Sequence, residues 1–443
     1  DQIILEIKRE PVQISGRYYG LVTIQGPVAD QKDGFRVAHF NRQSGQFDGP
    51  QEIVQLPEVL PDDNGTLPAT NQEIEKSPLN PSGWYVYGAK SATGIFVVQA
   101  LAPRKLFQLQ PSTVITDQKA ALQYLKKKNW KTIESQKGSI QSVLISSQRS
   151  TEGSTDEIEQ CWKEGDRALL LHVYGGIGGK NKEPAAQGPF YFGHFSYGNA
   201  TVIREPLTGE LRFEMEYHQV YTHNVRGLIS GNMHWSKYMG DRQWGFLGTR
   251  PVCDLLVKLD AFTQDFDFEG TPDSALRGTI SQLEAMMARY RIGDGTGGTY
   301  VGPANNCAQD SNQSLYAALR RMETLFETHH DWLKQWQQTQ PDQIQRFQQL
   351  INLKQSLKRK LMPFGSARAD WREGAYNLGS SLEDRPLHNL SIGIGSWRTL
   401  IPRLASDTIV NIFLEQNADV WVLSTHQVGG HDPYIAPLAP MTL

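Results

Sequence analysis

Cysteine is scarce in this chain of 443 residues: three are present, Cys161, Cys253 and Cys307, far apart and without a CxxC pair. That excludes a zinc ribbon, a thioredoxin motif and an iron–sulfur site, and the odd count leaves at least one thiol free. The ordinary fate of such a cysteine is that of a small buried hydrophobe. Long apolar runs are missing as well. No stretch approaches the roughly 18 residues a membrane-spanning helix needs. Charge of one sign is not in excess, with 44 Lys+Arg against 47 Asp+Glu and a formal net charge of −3. The footprint of a general nucleic-acid binder is therefore absent, and no nucleic-acid partner is expected. The 11 histidines are scattered and include no HExxH, so neither a metal nor another cofactor is expected. What is present, 39% hydrophobic and 21% charged residues, is the composition of a globular protein. A chain this long can bury a core without staples, in about three domains or two large ones. It opens on Asp1 rather than Met, so a leader or anchor segment is expected to have been removed or left out.

Residues 1–115 read as a β-rich module. The runs Ile3 to Ile7, Arg17 to Ile24, Phe35 to Phe40, Trp84 to Tyr87 and Ile95 to Leu101 are rich in β-branched and aromatic residues and punctuated by Gly, Pro, Asn and Asp. A small barrel or sandwich is the expectation. The stretch from Leu56 to Gly83 carries five prolines and reads as a loop leaving that module. Residues 116–155 read as a linking segment with a short helix from Asp117 to Lys128 and a strand from Ser139 to Ser146. The Lys126-Lys127-Lys128 run is read as a solvated helix end. From 156 to 443 strands come first: Ala168 to Tyr174, then a hairpin of Phe190 to Arg204 and Leu211 to Tyr221 around a turn at Pro206 to Gly209. Helical spacing follows in Ser274 to Tyr290, Cys307 to Trp336, Ile344 to Leu361 and Thr399 to Leu414. Strands before helices predict an α+β fold rather than a doubly wound sheet.

Two glycine-rich stretches invite phosphate chemistry and fail on context. Gly175-Gly176-Ile177-Gly178-Gly179-Lys180 has Tyr174 where a P-loop needs its first glycine, and Asn181 where it needs Ser or Thr. It is expected to be a flexible turn. Gly293-Asp294-Gly295-Thr296-Gly297-Gly298 spells GxGxxG, but a helical pattern precedes it instead of a strand. Its glycines, Gly297 and Gly298 among them, would let backbone approach a substrate just before Cys307.

The sharpest chemical signal is Asn305-Asn306-Cys307-Ala308-Gln309-Asp310-Ser311. Asparagine caps a helix, and Cys307 then falls in the first turn, where orphan N–H groups favour a thiolate or an oxyanion. Leu315, Ala318, Leu319, Met322 and Phe326 give that helix a buried face. A thiol nucleophile needs a base, and His194 stands on the first strand of the hairpin between Gly193 and Gly198, which leave room beside it. The partner strand offers Glu214, Glu216 and His218 on one face. His218 and Glu216 are the preferred groups to orient His194, with nothing to choose between them. Asn306, Gln309 and the nearby backbone are candidates for holding the oxyanion.

The order of His194 before Cys307, with an Asn-Cys helix start, resembles the circularly permuted branch of the NlpC/P60 papain-like superfamily. That resemblance implies amide or ester hydrolysis, or acyl transfer, through a thioester. A second resemblance rests on Arg291 to Ala317, on Gln219-Val220-Tyr221, on Gly248-Thr249-Arg250-Pro251 and on Thr425 to Gly430 with the segment running to Pro440. These are similar to a family of cyanobacterial and chloroplast proteins labelled predicted Abi (CAAX) family proteases, and the likeness runs from about residue 150 to the end. CAAX-type membrane proteases work through a paired-glutamate motif inside a membrane. This chain has no Glu-Glu pair and no apolar span, so soluble cysteine chemistry fits the residues better.

The sequence thus predicts an N-terminal small β-barrel or sandwich followed by a papain-like α+β domain with a helical C-terminal portion. The expected activity is that of a cysteine-dependent hydrolase, a peptidase, amidase, esterase or acyltransferase with Cys307 as nucleophile and His194 as base. Its substrate would be a peptide, a peptidoglycan-type amide or a lipid ester. The rival expectation is a non-catalytic structural or binding protein partnered with a photosynthetic membrane complex. The resemblance implies a periplasmic, thylakoid-lumen or membrane-surface location.

Overall fold

A computed structural model describes residues 19–442, apart from 132, 147–160, 188–190, 225–226, 246–248, 269, 293–305, 365–386, 388–390 and 392–393. The expected strand Ile3 to Ile7 and the glycine loop with Gly297 and Gly298 lie outside the described residues.

The first unit is a closed barrel of β1 (Tyr19–Pro27), β2 (Gly34–His39), β3 (Gln51–Gln55), β4 (Trp84–Lys90) and β5 (Phe96–Pro103), in the order β1-β2-β3-β5-β4, with β4 returning to β1. Closure removes the exposed edges that a five-stranded sheet would otherwise leave. Period-two alternation puts Val22, Val37, Val54, Trp84, Val86 and Val98 on one face, all buried. The sequence reading missed β3, a short strand whose single buried side chain is Val54. The proline-rich loop does not stray from the barrel. Leu56, Ile74 and Leu79 are buried, and Asn80 takes the Ile24 N–H at 2.9 Å while donating to the Ile24 carbonyl at 2.7 Å. One side-chain amide thus replaces a strand neighbour, and its loss would leave two buried backbone groups unmet at about 1–3 kcal/mol.

The second unit is built on an eight-stranded sheet. Its strands are β6 (Thr113–Ile115), β7 (Ser139–Ile145), β8 (Arg167–Tyr174), β10 (His194–Arg204), β11 (Leu211–Asn224), β12 (Gly227–His234), β13 (Pro251–Lys258) and β16 (Asp419–His426). Their order is β12-β11-β10-β8-β13-β16-β7-β6. The segment expected to link the two units, 116–155, therefore contributes β7 to this sheet, and the last residues of the expected N-terminal module contribute β6. β9 (Gly176–Gly179) pairs with β17 (Ile435–Leu438), so the glycine run expected as a flexible turn is a strand held by the C-terminal segment. β14 (Phe266–Phe268) and β15 (Thr271–Asp273) form a small ribbon.

Both faces of the large sheet are covered, which explains why ALLLHVY reads as continuous rather than alternating hydrophobicity. Leu169, Leu171 and Val173 face the helices; Ala168, Leu170 and Tyr174 face the barrel side. The helical layer contains Ala275–Ile292, Cys307–Thr328, His330–Thr339, Pro341–Leu361 and Pro402–Leu414. The helix expected to run unbroken from Cys307 to Trp336 stops at Thr328, where His329 leaves the helical region at φ −122° and ψ 56° and its Nδ1 meets the Leu325 carbonyl. The next helix then turns back so that Trp336 stacks on Phe266 and packs against Phe326. Likewise Pro402 starts a new helix where one from Thr399 was expected, since proline suits only a first turn.

Candidate functional site

Asn306 has extended backbone, and its Oδ1 accepts from the N–H groups of Ala308 at 3.0 Å and Gln309 at 3.1 Å. It is the N-cap of the 22-residue helix starting at Cys307. Its amide nitrogen reaches the Leu400 carbonyl at 3.4 Å. Asn306 is thus engaged in capping and holding the helix, which corrects the expectation that it faces an oxyanion. Gln309 is fully buried in the first turn.

Cys307 is 8% exposed. Burial pushes its thiol up to about 11, against the backbone N–H groups of Phe195 and Ala308, which lower it; the charge of Asp310 raises it further. The helix end thus supplies the donors the sequence suggested, but desolvation outweighs them. The Phe195 contact sets the thiol beside β10, at the residue that follows His194. A second anchor is Tyr197, whose hydroxyl donates to Asn312 Oδ1 at 2.8 Å, one turn further along the helix.

His194 is the first residue of β10 and 4% exposed. Gly193 before it has φ 75°, and a Cβ there would sit 2.5 Å from the Tyr174 carbonyl oxygen. At Gly198 a Cβ would lie 2.1 Å from the Glu216 carbonyl oxygen. The two glycines make room for neighbouring backbone rather than for a ligand. The His194 ring lies on the barrel-facing side, 5.0 Å from the Tyr174 ring and 6.2 Å from that of His172. Its Nε2 meets Gln219 Oε1 at 2.7 Å, and Gln219 Nε2 donates to Ser196 Oγ at 2.8 Å. An amide oxygen only accepts, so Nε2 carries the ring proton and Nδ1 keeps the lone pair.

Gln219 therefore orients His194, and His218 and Glu216 do not. The reason is parity. In the hairpin Tyr197 faces His218 and Asn199 faces Glu216. Residues 197 and 199 are odd steps from 194, so their partners share the opposite face. His218 Nδ1 lies 2.9 Å from Asn232 Oδ1 and Nε2 2.9 Å from Asn199 Oδ1, and burial lowers its pKa against the nearby Glu216. Glu216 Oε2 is 3.9 Å from His218, and its side chain is half-exposed. Continuing the same register sets Gln219 opposite Ser196, two residues from His194. That signal was present in the hairpin spacing and went unread.

Around His194 lies a buried polar network. His172 Nδ1 is 2.7 Å from Asp254 Oδ1, and its Nε2 is 3.2 Å from the Tyr238 hydroxyl. Tyr217 donates to Asp254 Oδ2 at 2.8 Å, and Thr222 Oγ1 lies 3.2 Å from the Tyr174 hydroxyl. Burial drives the phenols of Tyr217 and Tyr238 well above their ordinary range. Arg250 closes the end of the network. It pairs bidentately with Glu183 at 2.7 and 2.5 Å, donates to the Gly175 carbonyl and Tyr191 hydroxyl, and lies over the Tyr174 ring. Glu183 also accepts the Ile177 N–H, so this clamp ties β9 down beside His194. None of these residues except Tyr174 figured in the sequence-based reading as more than part of a stretch, because isolated polar residues on strands carry no motif.

Among the described residues no cluster of three or more His, Cys, Asp or Glu could hold a metal ion, and no helix is long and apolar enough to cross a membrane. No family model, no curated protein and no solved structure matches this chain.

Proposed function

We propose that the chain is a cysteine-dependent hydrolase or acyl-transfer enzyme with Cys307 as nucleophile, His194 as base and Gln219 as the group that orients the base. What supports this reading is Cys307 in the first turn of a helix capped by Asn306, together with a buried histidine, His194, whose Nε2 is bonded to Gln219. Because the buried thiol is protonated at rest, His194 acts by general-base removal of the proton as attack occurs, rather than through a standing ion pair. The thiol sulfur adds to an acyl carbon, His194 passes the proton to the leaving amine or alcohol, and a thioester forms. Water, deprotonated by the same imidazole, then releases the acid and frees the thiol. Ala308 and Gln309 N–H groups are used by the cap, so the N–H of Cys307 itself is the nearest helix-end donor for the oxyanion. In the resting arrangement the His194 ring and the helix layer are on opposite faces of the sheet. The reading thus requires the end of β10 to open when substrate enters. Peptide, peptidoglycan-type amide and lipid ester all remain substrates of the right bond type.

One observation favours the rival, non-catalytic reading: a thiol that is buried and raised to about 11 is what an inert core cysteine looks like. An activated ester separates the two. Incubation with p-nitrophenyl acetate is expected to add one acetyl group to Cys307, seen by peptide mass spectrometry, with acylation lost in Cys307→Ala and slowed at least about tenfold in His194→Ala and Gln219→Ala. Acetylation of other residues alone, or of Cys307 at the same rate in all His194 and Gln219 variants, would sink the hydrolase reading and leave the binding one.

A further inference from the structure

A groove of about 360 Å³ lies on the helical side of the second unit, lined by Lys126, Arg359, Lys360, Trp397, Arg398 and neighbouring residues. Its cations come from separate parts of the chain. Lys126 belongs to a single turn after the first linking helix, Arg359 and Lys360 end the helix Pro341–Leu361, and Arg398 lies in the turn Trp397–Leu400. The tertiary fold has gathered four positive charges in a chain whose overall charge is −3. Among the described residues one carboxylate is bonded to any of the four, that of Glu415 on Lys360. Arg398 instead lies 4.8 Å from the centre of the Trp397 ring, and Arg359 reaches only the Ser356 hydroxyl at 3.5 Å. Asp407 stands behind Lys126, but burial raises its pKa to about 7, so it supplies at most a partial negative charge near neutrality. Lys127, Lys128 and Lys358, all exposed, adjoin these residues in the chain.

A cluster of cations, three of them without a bonded carboxylate among the described residues, recognises anions. What the anion is attached to follows from the apolar groups alongside. Trp397 is 42% exposed and Ile394, three residues earlier, is 68% exposed; they are among the few large hydrophobic side chains left in solvent among the described residues. A free phosphate has no use for them. An anionic bilayer surface does: its headgroups meet Lys and Arg, and the interfacial zone beneath accepts an indole ring and a short aliphatic side chain.

We infer that this face docks the chain on a membrane rich in anionic phospholipid, with Lys126, Arg359 and Arg398 meeting lipid phosphates and Trp397 entering the interface. The docking surface is independent of the cysteine chemistry and stands whether or not Cys307 reacts. It also gives a use to the Lys126-Lys127-Lys128 run, which by itself reads as a solvated helix end.

The test is sedimentation of the full chain with vesicles of phosphatidylcholine alone and of phosphatidylcholine mixed with phosphatidylglycerol. Binding is expected to the mixed vesicles and not to the zwitterionic ones. It should fall by about tenfold or more when salt is raised from about 50 to about 500 mM, as screening shortens the reach of surface charge. The pair Lys126→Glu with Arg359→Glu should lower it at least about tenfold, each cation near the surface being worth roughly a factor of five. Trp397→Ala should lower it several-fold while leaving the salt dependence in place. All altered positions are at least partly exposed, and circular dichroism and a thermal melt confirm that each variant is folded; Lys126→Gln with Arg359→Gln serves if charge reversal disturbs the fold. Equal binding to both vesicle types, or binding indifferent to the charge variants, overturns the inference. So does saturation of the groove by inorganic pyrophosphate or a single-stranded oligonucleotide without vesicle binding, which would assign it to a soluble polyanion.

Discussion

Replacing Glu183 by Gln tests the clamp that holds β9 over the end of the His194 network. Arg250 and Glu183 side chains are only 5% and 10% exposed, and they meet through two charge-assisted bonds. Gln keeps the shape and one acceptor but removes the charge, leaving a buried guanidinium whose neutral partners include the Gly175 carbonyl, the Tyr191 hydroxyl and the Tyr174 ring. Breaking a buried pair from one side costs about 3–5 kcal/mol, because the surviving charge stays desolvated. The residual neutral partners argue for the lower end, about 3 kcal/mol. Replacing both, Arg250→Met with Glu183→Leu, removes the stranded charge and should cost less than the single change. Urea unfolding followed by tryptophan fluorescence reads both, provided the two units are resolved as separate transitions. Hydrogen exchange at Gly176 to Gly179 adds a local readout, since those amides depend on the β9–β17 pairing. A loss under about 1 kcal/mol in Glu183→Gln, or a double variant weaker than the single one, would refute the account of a charge held in the interior by its partner.

Two further outcomes concern pH. Burial raises the Cys307 thiol from 9.0 to about 11. The folded chain therefore holds that proton more tightly than the unfolded chain, and the stability this gives, about 2–3 kcal/mol, is present below pH 9 and lost as pH rises towards 11. Cys307→Ser, compared with the parent by urea unfolding, should flatten the alkaline fall between those values; an unchanged slope would mean the thiol is solvated. His426 is 1% exposed, neither of its ring nitrogens has a hydrogen-bond partner among the described residues, and burial lowers its pKa from 6.5 to about 4. Its folded form resists protonation, so stability present above pH 6.5 is lost as pH falls to about 4, by roughly 3 kcal/mol. His426→Phe should remove most of that acid loss, and an acid titration as steep as the parent's would contradict it.

Much of the secondary structure was legible because local chemistry decides it. β1, β2, β4 and β5 are written in β-branched and aromatic runs, and the β10–β11 hairpin in two strands around Pro206 to Gly209. The Cys307 helix is written in its asparagine cap and the stripe from Leu315 to Phe326. β13 and β16 were missed although Pro251–Lys258 and Asp419–His426 are strongly apolar, because a strand buried on both faces loses its period-two signature. At the candidate site, the sequence offered residue types and a helix start, and the structure decided which of them meet.

What the sequence determined alone is the capped helix with Cys307 in its first turn, the strand bearing His194, and the short strands of a β-rich N-terminal module, each resting on interactions between near neighbours in the chain; closure of that module into a barrel pairs Tyr19 with Tyr87 and Val54 with Phe96. Tertiary structure decided the rest. Strand parity sends His194 to Gln219 and away from His218, since a residue's face depends on the register of a partner strand. Burial, not the helix end, sets the state of the Cys307 thiol, because desolvation depends on what packs over the group. Packing of distant helices likewise gathers Lys126, Arg359 and Arg398 into one basic groove that no single stretch of sequence contains.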